Sequence, residues 1–167
     1  MIRIDDVRSL RGRVGEEIAV SGWLPITQAR IDAFAEVTGD RQWIHVDPGR
    51  AAAESSLHTT IAHGFLTLSL LSALIHEAID FNGLRMAINY GLNRVRFVAP
   101  VPTGSRVRAR FTPSSIDDAA DSVQVTWQVT IEREHGDKPC CVAEWIVRYY
   151  PTRRDEEAVN PDGGRLR

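Results

Sequence analysis

Apolar and polar positions change period along this chain, and each change predicts a different element. Ile31, Phe34, Ala35 and Val37 form the inner stripe of an amphipathic helix, with Thr27 as its N-cap and Gly39 as its stop. In residues 64–79 the apolar side chains Phe65, Leu66, Leu68, Leu70, Leu71, Leu74, Ile75 and Ile79 leave little polar face. That pattern predicts one long helix buried on most sides.

Beyond Leu84 the period drops to two. Alternation runs through Met86-Ile88-Tyr90-Leu92, Val95-Phe97, Val107-Ala109-Phe111, residues 123–131 and residues 141–149, the mark of half-buried strands. Connections at residues 100–105, 114–121 and 135–139 are too short for crossover helices, so the strands are expected to be antiparallel. An earlier strand is expected over residues 18–24, and a short helix from Asp47-Pro48 to Glu54, capped by Asp47. A sheet of about five strands wrapped around a long central helix is an α+β arrangement. Residues 1–151 are expected to form a single domain, and residues 152–167, rich in charge, proline and glycine, a flexible tail.

Composition narrows the functional classes. At 167 residues the chain can bury a core without metal or disulfide support. Its 20 basic and 22 acidic side chains include no sustained basic run, which argues against a nucleic-acid partner. His63, His76 and Glu77 bracket the apolar run too closely for the roughly 20 residues of a membrane span. Cys140 and Cys141 are strand neighbours pointing to opposite faces, not a disulfide framework, and nothing at the N-terminus has the pattern of a secretory signal. The expected compartment is the cytoplasm.

The candidate chemistry lies between Phe34 and Ser72. Asp40 and His45 follow the end of the first helix, and Ala62-His63-Gly64 opens the apolar one. A carboxylate, an imidazole and the free N–H groups of a helix start can move a proton beside a carbonyl while polarising it. The spacing of His45, Asp47, His58 and His63 matches no zinc pattern, so no metal is expected. Ser69, Ser72 and His76 share one helical face, where Ser72 either orients Asp40 or bonds back to the preceding turn.

The segment Gly-Asp-Arg-Gln-Trp-Ile-His-Val-Asp at 39–47, followed by Ile-Ala-His-Gly-Phe-Leu at 61–66, resembles the MaoC-like hydratases and dehydratases of the hot-dog fold, nearest their nodulation-protein-N-like branch. The resemblance implies reversible addition of water to trans-2-enoyl thioesters of coenzyme A or acyl carrier protein, giving (R)-3-hydroxyacyl thioesters. It implies Asp40 and His45 as the catalytic pair, Gly64 as the backbone donor to the thioester oxygen and Ser72 as a supporting residue. It also implies a homodimer with the acyl chain between subunits, and no cofactor beyond the phosphopantetheine that belongs to the substrate. Where the better-known (R)-specific hydratases carry Asn-Pro, this chain has Gln42 and Trp43, which affects the shape of the substrate site.

Gln42 and His63 join Gly64 as the substrate-facing set, although His63 also suits a structural bond at the helix start. Two rival functions share the fold: an acyl-thioester binding or structural partner subunit, and a thioesterase. The central helix has no acid before Glu77, which disfavours the thioesterase.

Overall fold

Long strands form where the alternating runs lie, and the core is the face on which their apolar side chains agree. A computed structural model describes residues 1–152. Strand β1 (Ile2–Ile4) leads into a 3-10 helix (Val7–Arg13), then β2 (Ala19–Val20), β3 (Leu24–Pro25), α1 (Gln28–Thr38), α2 (Trp43–Val46) and α3 (Pro48–Glu54). The apolar run forms α4 (Gly64–Ser69) and α5 (Leu71–Ala78), followed by β4 (Ile79–Phe81), β5 (Leu84–Phe97), β6 (Arg106–Asp118), β7 (Val123–Arg133) and β8 (Pro139–Pro151).

Six strands form an antiparallel sheet in the order β2-β6-β7-β8-β5, with β3 also paired to β6. The expected α+β architecture is therefore present, with one strand more than expected. Residues 18–24 do not form one strand because the ladder breaks after Val20, where Ser21 Oγ accepts the Ala109 N–H at 2.9 Å. The parallel pairing of β1 with β4 and the 3-10 helix, which buries Val7 and Leu10, had no counterpart in the hydrophobic pattern.

The inner faces of β6, β7 and β8 meet the central helices in one core. Phe111, Val125, Trp127, Ile131, Cys141 and Val147 pack with Leu66, Leu71, Leu74 and Ile75. The outer face of β6 and β7 carries ion pairs instead, including Arg106 with Glu134 and Arg110 with Glu132. At the core centre the Trp127 indole N–H donates to the Tyr149 hydroxyl at 3.1 Å, and burial holds that phenol well above its ordinary range.

Three expectations about burial need correction. Val37 is 87% exposed, because the i, i+3, i+4 stripe of α1 runs through Ile31, Phe34 and Ala35 and leaves Val37 off it. The central helix is not wrapped on all sides either. It bends at Leu70, and Phe65, Ser69 and Ala73 lie exposed on its flank, because the sheet covers only the opposite side. Likewise, apolar side chains of β5 are more exposed than their alternation implied, since β5 is an edge strand bonded only to β8.

Among the described residues no helix is long and apolar enough to cross a membrane. Thr152, where the tail was expected to begin, donates its N–H to the Gly83 carbonyl at 2.9 Å, and the remaining residues of the expected tail lie outside the described ones. Truncating Trp127 would leave a cavity at the centre of the core and remove the donor to Tyr149. Trp127→Ala should cost about 3–5 kcal/mol in urea unfolding, and a loss below about 1 kcal/mol would contradict this placement.

Candidate active site

Three short segments build the site because each ends where a side chain must turn inward. Gly39 closes α1 in the left-handed region, at φ 77°, and delivers Asp40 into the turn that follows. The one-turn helix α2 then buries His45, and the chain returns through Ile61 to start α4 at Gly64.

His45 is held from two sides. Its Nδ1 lies 2.7 Å from the Ile61 carbonyl oxygen, which can only accept, so Nδ1 carries the proton and Nε2 is the basic nitrogen. Its own carbonyl accepts from the Gln28 side-chain amide at 2.8 Å, and that amide also reaches Asp32 and the buried Thr60 hydroxyl. Gln28 is a positioning residue that the pattern did not reveal: a polar residue in the first turn of a helix carries no signal of a partner 17 positions away.

His63, 2% exposed, stacks on His45 with ring centroids 3.7 Å apart and planes 25° apart. Its Nε2–H donates to the Asp40 carbonyl at 2.9 Å, while Nδ1 is buried without a hydrogen-bond partner among the described residues. The Asp40 carboxylate stands 4.0 Å from His63 Nε2 and stays largely exposed. Asp40, His45 and His63 each place one donor atom within 4.8 Å of the others, near enough for a cation. Within the cluster the Ile61 carbonyl engages His45 Nδ1 and the Asp40 carbonyl engages His63 Nε2.

Gly64 opens α4 against an aromatic wall. A Cβ there would meet the Phe97 ring at 2.8 Å, so only glycine lets that ring close over the helix start. A pocket of about 230 Å³ is lined by His45, Gly64, Thr67, Phe97, Val101 and Cys140. Asp40, His45 and His63 cluster, and His45 and Gly64 line the pocket; His63, expected to face substrate, is buried and does not line it.

Gln42 and Ser72 do not join them directly. Gln42 is the exposed N-cap of α2, and its side chain makes no cap bond. Ser72 accepts from the Asn89 amide at 3.2 Å and lines a separate cleft of about 220 Å³ with Leu68, Tyr90, Leu92 and Trp145. Eight residues of helix, about 12 Å of rise, separate it from Gly64. The expectation that Ser72 orients Asp40 therefore finds no support within one protomer. Trp43, beside Gln42, lies under the Arg50 guanidinium at 4.5 Å.

Residues 9–134 match the MaoC like domain. The chain belongs to the MaoC-like dehydratase family. Over 150 residues it is 51% identical to the 3-hydroxyacyl-thioester dehydratase Z of Mycobacterium tuberculosis, covering 89% of this chain and 99% of that one. It is 49% identical over 148 residues to Nodulation protein N of Rhizobium meliloti, covering 87% and 90% of the two chains. The solved structure of R-hydratase PhaJ1 from Pseudomonas aeruginosa superposes with a TM-score of 0.62 at 25% identity, covering 84% of this chain and 83% of that one. Both the family and its nodulation-protein-N-like branch were legible in the motifs.

Burial pushes the His45 imidazole below its ordinary pKa; the Ile61 bond opposes this, nearby His63 adds to it and Asp40 opposes it. The unfolded chain therefore binds a proton at this position more readily than the folded one. The stability linked to neutral His45 is present above the ordinary histidine value, about 6.5, and is lost as pH falls below it towards the folded value. Between pH 7.5 and 5.5 the urea midpoint of the protein should fall further than that of His45→Gln. Equal losses would assign the acid sensitivity to other groups.

Proposed function

We propose that this member of the family reversibly hydrates trans-2-enoyl thioesters to (R)-3-hydroxyacyl thioesters, using Asp40 and His45 as an acid/base pair and the Gly64 N–H as the oxyanion donor. The observation that carries the reading is an oriented imidazole, His45, that lines one pocket with the helix start at Gly64 and lies within 4.8 Å of the Asp40 carboxylate. The named activity of the dehydratase Z relative supports it.

Water held between His45 Nε2 and the Asp40 carboxylate loses a proton to the pair as its oxygen bonds to C3. The C2–C3 π electrons move toward the thioester carbonyl, whose oxygen gathers charge beside the Gly64 N–H. C2 then takes one proton from the pair, so that H and OH have added across the double bond. Such a preorganised donor contributes about 3 kcal/mol to the transition state in other enzymes. The carrier's phosphopantetheine is part of the substrate, and the chemistry needs no further cofactor. The unpaired buried thiols of Cys140 and Cys141 fit a cytoplasmic setting.

The same reading includes a homodimer through β5. Met86, Ile88, Tyr90 and Leu92 on this edge are 41–54% exposed, and the flank of the central helix beside them is uncovered. An apolar, unpaired edge of 14 residues is a template for a second copy. The cleft lined by Leu68, Tyr90, Leu92 and Trp145 would then lie between subunits and receive the acyl chain.

Asp40→Asn and His45→Ala should each lower kcat/KM for crotonyl-CoA by about 100-fold or more, followed as loss of enoyl absorbance, with unchanged circular dichroism. Near-normal turnover in either folded variant would refute the assignment. Ile88→Asp combined with Leu92→Asp should convert the protein to an inactive monomer in sedimentation. A fully active monomer would remove the dimer from the reading.

A further inference from the structure

A single buried imidazole touches both halves of the acid–base pair. His63 reaches the Asp40 turn with the edge of its ring, through Nε2–H to the carbonyl at 2.9 Å, and covers the His45 ring with its face at 3.7 Å. Phe34 of α1 closes the far side, with its ring centroid 5.1 Å from that of His63.

We propose that His63 is a positioning residue for the hydration: its edge fixes the backbone turn that carries Asp40 and its face fixes the His45 ring, so one side chain holds the supports of both reacting groups. The inference rests on the hydratase reading and adds to it a group that does not touch the reacting atoms.

The bond to Asp40 assigns the proton of His63 to Nε2 and leaves Nδ1 as a buried lone pair without a partner among the described residues. The titratable groups facing the pair are Asp40 on the turn after α1, Asp32 of α1 through Gln28, and Cys140 of β8 across the pocket. Asp40 is the only one of them in direct reach of either ring.

Two substitutions separate edge from face. His63→Phe keeps an aromatic face and loses the Asp40 bond, whereas His63→Gln keeps a donor and loses the face. In both, kcat for crotonyl-CoA should fall about tenfold or more while KM changes less than about threefold, since misplacement by about 1 Å can cost 100-fold. In His63→Gln the His45 ring resonances followed by NMR should lose the ring-current shift of the stacked imidazole, and in His63→Phe the Arg41 amide resonance, which follows the Asp40 carbonyl, should move. Wild-type kcat in a folded His63→Phe protein overturns the proposal, as do unmoved resonances in both variants. Should the wild-type protein hydrate no enoyl thioester, the hydratase reading fails separately, and the NMR shifts alone still decide whether His63 holds His45 and the Asp40 turn.

Discussion

The bond from the His45 ring to the Ile61 carbonyl is the constraint on which the site depends. It joins groups 16 residues apart, and the Ile61 N–H returns a bond to the Ile44 carbonyl at 3.0 Å, so the two segments clamp each other. The clamp continues into the sheet, where Ala62 bonds to Val101 and Thr103 to Thr60 in the turn before β6. A four-residue helix such as α2 has almost no stability of its own. It holds its geometry because it is tied to the start of the central helix, and that start is tied to the turn before β6.

The second constraint is that the sheet has one apolar face and covers the helix from one side only. Burial of Trp127, Phe111 and Tyr149 fixes where the helix lies, and so where Gly64 presents its N–H. The opposite flank, with Phe65, Ser69 and the β5 edge, stays open in one protomer. Core packing and the open flank are thereby kept on different faces of the same helix.

Much of this was legible in the chain. The period-two runs marked the inward residues of β6, β7 and β8, because alternate side chains of a strand must face opposite sides. Thr27 and Gly39 marked the ends of α1 through capping chemistry that acts within a few residues. The spacing of Asp40, His45 and Gly64 pointed to one site; the structure clusters Asp40 with His45 and His63 and sets Gly64 on a pocket with His45. Less legible were β1, the 3-10 helix and the break in the second strand, each stabilised by contacts with distant parts of the chain. The exposure of Val37 follows from the helical period itself, which leaves it off the buried stripe.

What the sequence by itself determined was local: periods, caps, the order of elements and the residue types available for chemistry. Those follow from backbone sterics and neighbouring side chains, which are the same wherever the segment finally sits. Only the tertiary structure decided that His63 lies on His45, that Gln28 holds the His45 carbonyl, and that Ser72 pairs with Asn89 instead of Asp40. These partners lie 17 or 18 positions apart in the chain, and no short-range rule links them. Their meeting depends on which face of the helix the sheet buries, and that choice is made by the packing of the whole core.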